Sequence, residues 1–204
     1  MRVKTEEKRQ GFVDAAFQVF SEMGFEHASM SEIAARAGGS KATLYSYFQS
    51  KEEMFAEFMT AAAQQEASAA FELLKTSLPV RETLVRFGKH YLTAVLKPRL
   101  LAVRRLANHE GGRSNVGALF HERGPKPGWQ MVADFLQQLG DAGQLRSCNT
   151  AIAAAHLRGL YEAELLEQCL VGTPADTSSR NIARVVWRAV DVFMAAYGPT
   201  DTRH

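Results

Sequence analysis

Residues 29–53 read SMSEIAARAGGSKATLYSYFQSKEE. This stretch decides the fold, because it packs three helix starts and one tight turn into a short span. Ser29 and Glu32 form the S-x-x-E pattern of a capping box, in which the two side chains satisfy orphan N–H groups at a helix start. Ile33, Ala34 and Ala37 follow as an apolar face, and Gly38-Gly39 ends that short helix. Ser40 is placed to cap a third helix from Lys41 to about Phe48. Ser50 and Glu53 make a second capping box, opening a long helix through Met54, Phe55, Phe58 and Met59 towards about Lys75. Two short helices joined by a glycine pair read as a helix-turn-helix.

A groove-reading helix needs an apolar side that anchors it and small or polar side chains facing the nucleic acid. Leu44 and Phe48, four apart, supply the anchor. Lys41, Thr43, Tyr45 and Ser46 point largely elsewhere, and Ala42 is small enough to approach a base edge or a thymine methyl. A solvated face on an ordinary three-helix unit fits the same spacing equally well, so spacing alone leaves the choice open.

Working outward, Val13, Ala16, Phe17 and Phe20 lie at i, i+3, i+4 and i+7, which predicts a first helix over about 5–23. Gly24 suits a left-handed C-terminal cap, with Phe25 folding back onto the core. Beyond residue 79, further helices are expected over about 80–96, 99–108, 114–122, 129–139, 150–170 and 179–197, with 109–128 mostly loop. All six prolines lie at or beyond Pro79, and no long stretch alternates in the manner of a strand. The expected fold class is all-α: a three-helix DNA-binding unit over 1–50, then a helical ligand-binding and dimerisation domain over 51–204, joined by a long helix at about 51–76.

The 204 residues carry 24 Lys and Arg against 22 Asp and Glu, a net charge of +2, with 46% apolar and 23% charged residues. That is ordinary globular usage. No apolar run is long enough for a membrane span and the N-terminus lacks a secretory apolar stretch, so a cytoplasmic protein is expected. The near-zero charge at first argues against nucleic acid. Residues 1–55 are even slightly acidic, with seven basic and eight acidic side chains, yet residues 38–51 hold two lysines and no acid. Local charge therefore supports binding where total charge does not, and predicts dependence on dimer geometry and steep loss of affinity with salt.

Residues 9–59 resemble the N-terminal domain of TetR/AcrR-type transcriptional regulators. The resemblance rests on Phe20 with Gly24-Phe25, Ile33-Ala34 with Ala37-Gly38, Thr43-Leu44-Tyr45, Tyr47-Phe48 and Ser50-Lys51-Glu52. One departure is Gly39, where the family usually carries Val or another apolar residue. The resemblance implies that Lys41, Ala42 and Thr43, behind the Ser40 cap, face bases or phosphates, and that Tyr45 and Tyr47 offer hydroxyls to phosphates. It implies that Ser29 and Lys51 hold phosphates at the starts of their helices, with Arg2 and Lys4 as candidates for an arm that tightens on double-stranded DNA. A softer likeness, carried by FHERGP, GDAGQLR and HLRGLYEAELLE over about 80–170, is to the AefR-like C-terminal domain, and implies a helical ligand-binding domain.

Candidates for an effector pocket are Phe87, Tyr91, Val103, His109, Phe120, Trp129, Phe135, His156 and Tyr161. Aromatics at helical spacing are more often just core, and a His on an apolar face is usually satisfied locally. The last helix is apolar on two sides, and the family pairs its last two helices across a homodimer. That points to Ile152, Leu160, Ala163, Leu166, Val186, Val190, Phe193 and Tyr197 as interface. The expected function is a homodimeric repressor released from a palindromic operator by a small apolar or amphipathic effector. No catalytic constellation, cofactor motif or metal spacing is present, so an enzyme is not expected. Cys148 and Cys169 leave open a regulator driven by thiol oxidation or protein contacts, and a helical enzyme with a vestigial N-terminal domain is the remaining alternative.

Overall fold

The computed structural model describes residues 5–75 and 78–199. Among them eleven α-helices and one short 3-10 turn, Leu73–Lys75, form, and there is no strand beyond an isolated bridge between Gly111 and Ser114. In chain order the helices are α1 (Glu6–His27), α2 (Met30–Arg36), α3 (Lys41–Tyr47), α4 (Lys51–Glu72), α5 (Val80–Val95) and α6 (Pro98–Glu110). They continue with α7 (Val116–Arg123), α8 (Pro125–Asp141), α9 (Thr150–Glu162), α10 (Leu166–Val171) and α11 (Ser179–Tyr197). Arg2 and Lys4 lie outside the described residues.

The chain forms two compact units. One comprises the chain up to Ala63 with Ala102–Gly124; the other comprises Gln64–Leu101 with the chain from Pro125 onward. These units are not the linear division at residue 50 read from the sequence, because α6 from Ala102 onward and all of α7 belong with the N-terminal helices.

In the first unit, α1 presents Phe12, Val13, Ala16, Val19 and Phe20 inward, against Ile33 and Ala34 of α2, Leu44 of α3, and Met54, Phe55, Phe58 and Met59 of α4. Gly24 takes φ +76°, a conformation side chains resist, so the chain bends there and Phe25 returns to meet the rings of Phe20 and Phe55 at 5.6 and 5.3 Å. Thr5, Ser29 and Ser40 each accept a hydrogen bond from the backbone N–H three residues on, and Ser50 does the same for Glu53. The Glu53 carboxylate reaches back to the N–H of Gln49, one residue before the cap, in place of the Ser50 N–H that a reciprocal capping box would use.

In the second unit, α5, α9 and α11 pack together and α8 lies on α9. α5 can come this close because Gly88 has no side chain. A Cβ there would meet the Tyr161 ring at 2.5 Å and a Val186 methyl at 2.8 Å. Two expectations are corrected. α8 begins at Pro125 rather than near Trp129, since prolines in a first turn forfeit only N–H groups that have no intrahelical partner. The stretch 150–170 is two helices, α9 and α10, parted at residues 163–165. Leu165 and Leu166 are both buried, and neighbours in one continuous helix point about 100° apart.

Candidate nucleic-acid interface and effector region

Helix α3 divides its residues cleanly. Leu44 and, at the cap, Phe48 are buried, whereas Lys41, Ala42, Tyr45 and Ser46 are exposed and Thr43 is half-buried. The Lys41 ammonium lies 5.9 Å from the Tyr45 ring centroid, one turn along the same face. Ser40 and Thr43 share a 2.8 Å hydrogen bond between hydroxyls, and the Ser46 hydroxyl donates to the Thr43 carbonyl. The Tyr47 hydroxyl accepts from the Thr5 N–H at 3.1 Å, so this side chain also ties α3 to the start of α1.

Two cations are committed to the scaffold. Arg9 pairs with Glu57 at 2.7 Å and Arg36 with Glu22 at 2.5 Å, and these carboxylates hold both guanidiniums above their ordinary pKa. Lys51 departs from its expected part. Its ammonium donates to the carbonyls of Phe25 at 2.5 Å, Ala28 at 3.1 Å and Glu26 at 3.2 Å, and lies 4.3 Å from the centre of the Phe25 ring. An ammonium has three protons, and here three carbonyls receive them. Lys51 therefore fastens the corner between α1 and α2, immediately before the Ser29 cap.

The pocket candidates separate. Phe87, Tyr91, Trp129 and Tyr161 form one cluster, with ring centroids 5.0–6.2 Å apart. Glu162 closes one side of it, accepting from the Tyr91 hydroxyl and from Arg158, whose guanidinium lies 5.9 Å from the Trp129 ring. The pair Arg158–Glu162 stands at i, i+4 and was legible in sequence as such, but nothing there tied it to Tyr91. Tyr161 is fully buried and donates to the Leu84 carbonyl at 2.8 Å, and burial pushes its pKa well up. Phe135 is half-buried against the same core. His156 does not join this cluster; it is exposed and bonded to the Tyr197 hydroxyl at 2.5 Å. Val103, His109 and Phe120 belong to the first unit. Among the described residues no group of His, Cys, Asp or Glu gathers to hold a metal, and no helix is long and apolar enough to cross a membrane.

A family model described as "Bacterial regulatory proteins, tetR family" matches residues 12–58, and one described as "AefR-like transcriptional repressor, C-terminal domain" matches residues 82–199. The second alone covers more than half of the chain. The chain belongs to the TetR family. Regulators of this family are not enzymes. The structure is similar to that of the Flavonoid-responsive Regulator FrrA, at 31% identity and a TM-score of 0.84 over 96% of this chain and 100% of that one. It is also similar to a TetR-family regulator from Mesorhizobium loti MAFF303099, at 25% identity and a TM-score of 0.83 over 97% and 100% of the two chains. The HTH-type transcriptional regulator YdgC of Bacillus subtilis (strain 168) is 45% identical over 60 residues, 29% of this chain and 31% of that protein. Matches to curated relatives span under half of those relatives' lengths.

The departure from the family at Gly39 has a physical counterpart. A Cβ at that position would lie 2.9 Å from the Phe12 ring, so Phe12 of α1 fills the space that the usual valine would take. The interface candidates also need correcting. Val186, Val190, Phe193 and Leu166 are buried within their own chain and cannot face a partner. Leu160 and Tyr197 are half-buried, and Ala163 is exposed. Ile152 on α9 is 51% exposed, and the sequence reading missed Trp187 at 44% and Val192 at 55% on α11. The apolar breadth of α11 was visible; which half faces inward is set by Gly88, on another helix. Cys148 and Cys169 are half-buried against the apolar core.

Proposed function

We propose that this chain is a cytoplasmic, homodimeric DNA-binding repressor that reads a palindromic operator with α3 and releases it when a small planar aromatic effector enters the C-terminal domain. The observation that carries the DNA reading is the division of α3: Leu44 and Phe48 buried, Lys41, Ala42 and Tyr45 exposed, and no acidic residue from 38 to 51. One such domain contacts few phosphates, so two copies reading half-sites about one helical turn apart are required for useful affinity. The exposed apolar side chains Ile152, Trp187 and Val192 support pairing through α9 and α11.

The effector class follows from the cluster of Phe87, Tyr91, Trp129 and Tyr161 beside Glu162, whose aromatic walls and carboxylate suit a planar phenol. The full-length likeness to a flavonoid-responsive regulator supports the same class. Release requires that the effector bind the operator-free state more tightly than the operator-bound state.

The test is selection of bound sites from a random DNA pool by the full-length protein, with and without added flavonoid. A palindromic site should be enriched, and flavonoid should lower the bound fraction. Lys41→Ala should weaken binding to all sequences, whereas Thr43→Ala should change base preference. Absence of any site preference at low salt would overturn the DNA reading. A preference indifferent to every flavonoid would overturn only the effector class.

A further inference from the structure

The first unit contains a cleft of about 350 Å³, apart from the aromatic cluster of the C-terminal domain. Its walls come from α1 (Phe17, Phe20, Ser21, Gly24), from α4 (Phe58) and from α6 (Ala102, Val103, Arg105, Leu106, His109). Phe17 is half-buried and stacks on Phe58, with centroids 4.8 Å apart and planes 24° from parallel, so the cleft offers a flat aromatic wall. Phe20, Phe58 and Val103 are buried and form the floor. The volume falls in the range of small-molecule sites.

The polar groups share one character. No acid lines the cleft, whereas Arg105 and His109 do, and both are exposed. Behind His109 stands Arg113, whose guanidinium donates to the His109 Nε2 at 2.9 Å. Arginine has no acceptor, so the ring's proton is on Nδ1. The facing acid, Glu26, lies 3.8 Å from Arg113 and pairs with it. An apolar trough edged by a cation, an imidazole N–H and the Ser21 hydroxyl complements a flat apolar body ending in an anion.

We infer that this cleft is a second small-molecule site, separate from the aromatic cluster of the C-terminal domain, and that its ligand class is aromatic carboxylates. The ring lies on Phe17 and Phe58, and the carboxylate meets Arg105 and His109. Its position gives it a direct hold on the DNA-reading unit, because Phe20 continues through Phe25 and Phe55 to the corner held by Lys51.

The test uses the full-length chain and three probes of one shape: 2-naphthoate, uncharged 2-naphthol and cationic 2-naphthylmethylammonium. Calorimetry gives affinities, and amide resonances of Ser21, Gly24, Ala102 and Leu106 report the place. Naphthoate should bind most tightly and shift these resonances. Arg105→Ala should weaken naphthoate by about three- to fivefold, the scale of a partly solvated ion pair, leave naphthol unchanged, and be rescued in part by Arg105→Lys. Ala102→Phe should fill the cleft and weaken naphthoate and naphthol by more than about tenfold, with helicity and melting temperature unchanged. The proposal is overturned if folded Ala102→Phe binds normally, if the cation binds as well as the carboxylate, if naphthoate does not bind, or if only resonances around Tyr91 and Tyr161 move.

Discussion

Lys51 has a structural part in the free chain that its motif does not announce. Its motif marks a helix start, and a lysine there suggests a phosphate. The three carbonyls it serves come from a turn more than twenty residues earlier, and no local pattern announces them. Lys51→Met should therefore destabilise the folded chain by about 1–3 kcal/mol, the cost of leaving polar groups without partners, measured by urea denaturation without DNA. Unchanged stability with weakened DNA binding would return the residue to the phosphate role. Gly88 is likewise silent in sequence. Gly88→Ala should cost about 1–3 kcal/mol, because the added methyl meets Tyr161 and Val186 below contact distance. Tyr161 gives a pH signature. Burial raises its pKa in the folded chain, so the unfolded chain loses the phenol proton first. Stability is intact below the ordinary tyrosine value of about 10 and falls as pH rises past it. Tyr161→Phe should remove that component of the alkaline loss while costing about 1 kcal/mol at neutral pH for the hydrogen bond to Leu84. The comparison is of both proteins' denaturation midpoints at about pH 8 and about pH 11.

At the scale of elements, the sequence was most informative where helix ends are decided within four residues. Ser29, Ser40 and Ser50 all cap as their patterns predict, because hydroxyl and target N–H lie three residues apart. Ser40→Ala should cost about 1 kcal/mol and fray the start of α3, where Lys41 and Ala42 lie. Thermal melting reads the cost, and hydrogen exchange at Thr43 reads the fraying. The reading failed where distant packing decides. The division at 163–165 follows from two adjacent leucines both finding the core, with Glu164 turned out to a two-pronged pair with Arg188 at 2.9 and 2.5 Å. The apolar spacing of 150–170 alone reads as one helix. The buried and exposed sides of α3 were legible because they need only one turn of spacing. The Tyr91–Glu162 contact was not, since its partners stand 71 positions apart.

For the whole molecule, the outward residues of α9 and α11 set the expected assembly. Ile152→Glu combined with Trp187→Glu should convert a dimer to a folded monomer in sedimentation velocity, with helicity retained. A sedimentation coefficient unchanged from the parent protein would place the interface elsewhere. The interleaving of the two compact units has its own consequence during synthesis. The N-terminal helices leave the ribosome first, but Ala102–Gly124, which belongs with them, follows only after Gln64–Leu101 of the other unit has emerged. Neither unit is contiguous along the chain, so neither can be completed before Gly124 has been made. Vectorial synthesis, which lets simple tandem domains fold one after another, here holds the N-terminal helices incomplete until the last of their partners, Ala102–Gly124, has emerged.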